Sequence, residues 1–222
     1  MKLLAIDTAT EACSAAILID DEIIYRYQVA PRQHAELILP MIDELLADTG
    51  SSLADMDALA FGRGPGAFTG VRIAAGVIQG LAFGADLPVV PVSTLAALAQ
   101  GIIESKHHNI ISAIDARMGE IYWGIFEPDS HGLASPVGDE AVSRPEELIV
   151  QENISYFGIG TGWQTYRDVL TNKLGGQLGG CAGDCYPHAR DIVVLAKREF
   201  QKGNAVTAEH ALPVYLRNKV TG

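Results

Sequence analysis

Apolar and polar positions fall in blocks along the chain, and each block predicts an element. Leu3 to Ile6 is an apolar run that stops at Asp7. The turn residues of "DTATEA" lead into a second apolar run, Cys13 to Ile19. Asp20 and Asp21 then turn the chain into a third strand, Glu22 to Gln28. Next the period changes. "HAELILPMIDELLADTG" has helical spacing from about Ala35 to Asp48, with Gly50 suited to its C-terminal end and Pro40 placed to kink it. "MDALAFG" reads as a short strand and "TGVRIAAGVIQGLAFG" as a helix capped by Thr69. "LPVVPVS" is another strand, and Ser93 or Thr94 caps the helix that follows.

The same order of signals occurs twice. "AIDTATEACSAAIL" from Ala5 and "AIDARMGEIYWGIF" from Ala113 align without a gap, which places Asp7 and Asp115 108 residues apart. "FGRGPG" from Phe61 and "FGIGTG" from Phe157 recur 96 residues apart. Chance matching of short apolar words is the alternative, but both signals keep their order. A period near 100 is too long for a solenoid and predicts a duplicated lobe. Each lobe would run strand–turn–strand, helix, then strand, glycine loop and helix, an α/β fold in two lobes. The polar dip "GIIESKHHNI" places the boundary, giving lobes 1–104 and 105–222. "KLGGQLGGCAGDCYP", Lys173 to Pro187, reads as a loop. A last helix, "ARDIVVLAKREFQKG", is placed to pack back near the hinge.

Charge narrows the partners. A net charge of −11 repels phosphate backbones, so direct binding of nucleic acid is not expected and a basic partner suits the chain better. The start "MKLLAIDTAT" is too short an apolar run for a signal peptide, and no run of 18 apolar residues suggests a membrane span. Three cysteines, Cys13, Cys181 and Cys185, fit reduced thiols and a cytoplasmic location. Cys181 and Cys185 are either a metal or redox pair or merely small loop residues, and with His188 nearby a fourth ligand is not evident. His34 has Ile38 four residues on, so no His-x3-His face exists, and His107 and His108 are adjacent and would point apart. No metal site is expected.

"FGRGPGAFTGVRIAAG", Phe61 to Gly76, has the look of a phosphate cradle. No Gly-Lys-Ser/Thr follows, so it is not a Walker loop. Its nominal Gly-x-Gly-x-x-Gly/Ala match at Gly62, Gly64 and Ala67 lacks the acidic residue that a ribose needs after the next strand. What remains is a helix start with free N–H groups behind glycines, with Arg72 in its first turn. The loop is either a tight turn or an anion or partner site. Asp7 ends its strand as the first phosphate loop of the actin, sugar-kinase and heat-shock-chaperone ATPases does, but Ala9 stands where those loops need Gly. Asp115 is followed by Arg117 rather than by a glycine pair. Asp7, Thr8, Gly64, Gly66, Thr69 and Gly70 therefore form a vestigial phosphate or anion loop.

The two helices of the first lobe are more apolar than one core needs. The first carries Leu37, Ile38, Met41, Ile42 and Leu45, and the second Ile73 and Val77 beside Gly76-x3-Gly80. A lobe of this size has limited room to bury both faces, so these residues, with Arg72, are candidates for a protein interface.

"LLAIDTATEACSAAI", "GRGPGAFTGVRIAAG", "DARMGEIYWG" and the closing "PVYLR" together resemble the TsaB (YeaZ) family of bacterial tRNA threonylcarbamoyladenosine biosynthesis proteins. The resemblance runs from Met1 to the C-terminal segment. It implies the two-lobed actin-like ATPase superfamily fold. It implies a non-catalytic subunit that supports a catalytic paralogue, TsaD, together with a small ATPase, TsaE. These transfer a threonylcarbamoyl group to N6 of adenosine 37 in tRNAs reading codons that start with A. ATP and metal would sit on the partners and not on this chain alone, and tRNA would be reached only through them. Members of the family pair through the first-lobe helices with TsaD or with themselves. The rival readings are an ATP-dependent kinase or carbamoyltransferase, and a glycoprotease-like peptidase. The missing His-x3-His and the altered phosphate loops give the peptidase no support.

Overall fold

The computed structural model describes residues 1–103 and 109–217. In chain order its strands are β1 (Lys2–Asp7), β2 (Ala12–Ile19), β3 (Glu22–Val29), β4 (Ala58–Gly62), β5 (Val89–Val92), β6 (Ile110–Arg117), β7 (Glu120–Pro128), β8 (Ala134–Pro136), β9 (Ala141–Ser143), β10 (Tyr156–Ile159) and β11 (Leu178–Ala182). The helices are α1 (His34–Thr49), α2 (Phe68–Ala85), α3 (Thr94–Ile103), α4 (Thr161–Thr165), α5 (Arg167–Leu174) and α6 (Ala189–Gln201).

Two compact units divide the chain. The first comprises Met1–Ala97 with Pro187–Val214, and the second Leu98–Tyr186 with Tyr215–Gly222. The cut expected at 104/105, with His107 and His108, lies outside the described residues. The units part within α3 instead, and α6 belongs to the first unit.

The first unit holds a sheet of order β3-β2-β1-β4-β5. β1 runs antiparallel to β2 and parallel to β4, and β4 runs parallel to β5. β1 is central and buried along five of its six residues, so its sequence is apolar on both faces. Alternation sorts those faces. Leu4 and Ile6 join Cys13, Ala15 and Ile17 in one core with α1 and α2. Leu3, Ala5 and Asp7 point to the other face, where α6 packs on β1 and β2 and buries Ile192, Val193, Leu195 and Ala196. Ser14 helps seat this helix: its Oγ accepts the N–H of Ala189 at 2.9 Å.

In the second unit the order is β11-β10-β6-β7-β8, with β9 paired to β7. Read with β6 for β1, β7 for β2, β8 for β3, β10 for β4 and β11 for β5, the two orders are the same. The α/β architecture is therefore duplicated, as the resemblance implied. Its core gathers Ile111, Ala113, Trp123, Trp163 and Leu170, with the Trp163 indole N–H donating to the Ile111 carbonyl at 3.0 Å.

Three local readings change. Thr69 is an exposed residue inside α2, whose cap is Ala67, without a side-chain bond. The stretch Lys173–Pro187 contains a strand, β11, which pairs in parallel with β10. No α-helix separates the β6–β7 hairpin from β10 among the described residues; α4 and α5 come after it. The glycine strings also differ in register. Phe61 lies beside Ile6, next to Asp7, whereas Phe157 lies beside Ile110, five residues before Asp115. At the other helix starts the sequence is followed closely. Ser93 caps α3 through its Oγ, which accepts the N–H groups of Leu95 and Ala96. Pro40 sits within an unbroken α1.

Candidate functional site

The turn after β1 and the glycine loop after β4 form one packed body. Asp7 is fully buried; its Oδ1 accepts the Ala9 N–H at 3.0 Å and, among the described residues, its Oδ2 has no hydrogen-bond partner. Burial pushes the carboxyl up to about 7, and the Ala9 hydrogen bond pulls against that shift only in part. Three glycines are shaped by this turn. A Cβ on Gly62 would stand 1.9 Å from Asp7 Oδ2, one on Gly66 2.4 Å from the Ala9 carbonyl oxygen, and one on Gly70 2.1 Å from the Thr8 carbonyl oxygen. The loop is bonded as tightly as it is packed. Ala67 N–H donates to the Ala9 carbonyl at 2.7 Å, and Thr8 Oγ1 donates to the Gly70 carbonyl at 2.8 Å. Gly64 adopts φ 96°, donates its N–H to Thr94 Oγ1 at 3.1 Å, and accepts the Thr94 N–H at 3.0 Å. The glycines thus have their reason inside the chain: they let two backbone segments touch.

The counterpart in the second unit is closed differently. Asp115 Oδ1 accepts the Arg117 N–H at 2.8 Å and the Tyr166 hydroxyl at 3.3 Å. Arg117, Met118 and Gly119 all hold positive φ in the hairpin turn. A Cβ on Gly160 would stand 2.4 Å from the Ala113 carbonyl oxygen, and one on Gly158 2.2 Å from the Trp163 ring. These glycines seat Trp163 and β6.

Among the described residues no group of three or more His, Cys, Asp or Glu side chains could hold a metal ion. Cys181 lies in β11, and both it and Cys185 are half-buried free thiols.

The interface candidates separate into two groups. Ile38, Met41, Ile42 and Leu45 are buried in the first unit's core, because β2 and α2 use up the apolar face of α1; they are not on the surface, and only Leu37 remains half-exposed. α2 is different. Its buried stripe is Gly70, Val71, Ala74, Ala75, Ile78 and Ala82. The opposite stripe, Thr69, Arg72, Gly76, Gly80 and Phe83, is exposed, with Ile73 and Val77 half-buried at its margin. Phe83 is 84% exposed and Phe68 47%. The Arg72 guanidinium lies 3.4 Å over the Phe68 ring. A Cβ on Gly76, Gly80 or Gly84 would meet nothing within 4 Å. By length and composition α2 is also apolar enough to cross a bilayer, which the absence of a long apolar run in the sequence did not suggest. Its apolarity has a nearer cause in the core it helps to build.

Comparison with known proteins decides the family. A family model described as TsaD: tRNA N6-adenosine threonylcarbamoyltransferase matches residues 22–221. The chain is 45% identical to the tRNA threonylcarbamoyladenosine biosynthesis protein TsaB of Escherichia coli (strain K12), over 99% of this chain and 96% of that protein. The chain belongs to the TsaB family. TsaB of Haemophilus influenzae is 44% identical over 100% of this chain and 95% of that protein. The solved structure of YeaZ from Pseudomonas aeruginosa superposes with a TM-score of 0.91 at 46% identity, covering 97% of this chain and 99% of that one. A TsaB chain with this fold places its buried Asp7, its glycine loop and its exposed α2 stripe in one unit.

No sequence signal marked Gly62 as the neighbour of Asp7, because the contact joins two parallel strands 55 residues apart. Phe83 was equally hidden: an aromatic residue in an apolar helix reads as core until the packing face is known.

Proposed function

We propose that this chain is the non-catalytic TsaB subunit in tRNA threonylcarbamoyladenosine biosynthesis, acting in the cytoplasm, and that it docks through the exposed face of α2 on TsaD, the catalytic paralogue. One observation carries the reading. Gly76, Gly80 and Gly84 stand in open space on a helix, where each costs about 1 kcal/mol relative to alanine. Among the described residues nothing packs against them closely enough to require glycine. Close approach of another backbone requires it, and a face of glycines flanked by Phe68, Phe83, Ile73 and Val77 is suited to a packed helix from a partner. A second copy of the chain competes for the same face.

The support given to TsaD is structural. Asp7 is sealed beneath Gly62, and the N–H groups of Ala9 and Ala67 are already engaged, which favours a subunit that leaves nucleotide, metal and TsaE-driven chemistry to its partners. tRNA is contacted through TsaD, in keeping with the charge of −11.

Reconstitution tests this. Threonylcarbamoyl transfer to tRNA by TsaD and TsaE requires this chain, and Gly80→Leu loses the stimulation while keeping at least the parent thermal stability. Transfer at full rate without the chain would refute the proposal. Micromolar ATP binding by the isolated chain that disappears in Asp7→Ala would support a kinase-like enzyme instead.

A further inference from the structure

At the C-terminal end of α2 lies a groove of about 630 Å³, whose walls are all in the first unit. Its lining includes the apolar Phe83, Leu87, Pro88 and Val206 and two carboxylates, Asp86 and Glu209. Among the described residues no lysine or arginine lines it. The groove is firmly built. Val89 and Val206 exchange both backbone hydrogen bonds at 2.8 Å, and Gln79 Nε2 donates to the Ala211 carbonyl at 3.1 Å, tying the wall that carries residues 205–209 to α2.

Two features of the groove are locally unfavourable. Asp86 is the C-cap of α2 at φ 53°, a position that glycine fills at least cost. It also adds a negative charge at the negative end of the helix dipole, and the last turn holds no basic residue to offset it. Beside it Phe83 presents 84% of its surface to solvent. An exposed ring, two carboxylates and the carbonyl end of a helix together match one side-chain type: a long apolar stem with a cationic head. The charge of −11 on the whole chain draws a cationic segment to it.

We infer that this groove receives a basic segment of a partner protein, with an arginine or lysine lying along Phe83 and its head between Asp86 and Glu209. The groove shares Phe83 with the face around Gly80 but has its own carboxylates, Asp86 and Glu209, so their loss weakens this site and leaves the glycine face in place.

The test follows amide shifts of the full ¹⁵N-labelled chain titrated with a capped tetrapeptide alternating leucine and arginine. Expected are saturable shifts at Phe83, Asp86, Leu87 and Thr207, weakened roughly tenfold in Asp86→Asn with Glu209→Gln. Asparagine tolerates the left-handed backbone at 86, so the variant keeps the fold. Gly80→Leu leaves the peptide shifts unchanged. The inference is overturned by absence of localised shifts at millimolar peptide, by unchanged binding in the double variant, by loss of the shifts in Gly80→Leu, or by spermidine producing the same shifts, which would show ion pairing without the apolar contact.

Discussion

Gly62 and Asp7 are matched across two parallel strands: the missing Cβ of the glycine is the space that Oδ2 of the carboxyl occupies, 1.9 Å from where that carbon would stand. Ile192 of α6 crowds the same position from another side, its Cδ1 3.3 Å from that carbon. Gly62→Ala therefore lowers stability by about 2–4 kcal/mol, as an overpacked core site does. Urea unfolding that shows less than about 0.5 kcal/mol would mean that the turn relaxes freely.

The buried carboxyl of Asp7 links stability to pH with a sign opposite to that of an ion-paired aspartate. Its folded value, about 7, lies above the ordinary 3.8, so between these the folded chain holds a proton that the unfolded chain has released. Stability from this group is full below pH 4 and is lost as pH rises through 7, by a few kcal/mol at most, on the order of 1.4 kcal/mol per pH unit. Asp7→Asn removes the effect. Unfolding free energies of parent and variant, measured from pH 4 to 8, diverge as pH rises; parallel curves would show an unperturbed carboxyl.

His188 works in the other direction. Its ring stacks on Tyr27 at 4.7 Å and meets Tyr25 edge-on at 4.7 Å, and its Nδ1 accepts the Arg190 N–H. Burial, with Arg190 nearby, lowers it to about 4 from 6.5. Stability from the neutral ring is complete above pH 6.5 and is lost as pH falls toward 4. Titration of His188 by NMR with a midpoint near 6.5 would contradict the packing described.

The glycines of α2 answer to a different rule from those of the loop. Gly80→Ala adds a Cβ in open space and raises stability by roughly 1 kcal/mol, whereas Gly70→Ala places one 2.1 Å from the Thr8 carbonyl oxygen and lowers it by about 2 kcal/mol or more. Thermal unfolding of the two variants separates them. In the assembled complex the order of harm changes, since Gly80→Leu blocks the proposed docking face and leaves the fold intact.

Much of the first unit was legible because its signals are local. Apolar runs broken by "DTATEA" and "DD" gave β1, β2 and β3, and a cap at Ser93 or Thr94 marked α3. The repeat of Ala-Ile-Asp at Asp7 and Asp115 announced the duplication that the two strand orders display. β11 was hidden in "LGGCA" because a glycine-rich segment becomes a strand only by pairing with β10. Ile38, Met41, Ile42 and Leu45 were misplaced at an interface because the width of an apolar stripe does not say how much sheet lies beneath it.

The sequence alone determined most element types of the first unit, the existence of a duplication and the family pattern, since periodicity, turn chemistry and motif spacing act within a few residues. Tertiary structure decided which apolar residues are core and which are surface. It also decided that α6 joins the first unit and that the glycines of "FGRGPGAFTG" hold the Asp7 turn instead of standing open. Each of those outcomes depends on contacts between segments far apart in the chain, and the steric fit between such segments exists only once they are folded together.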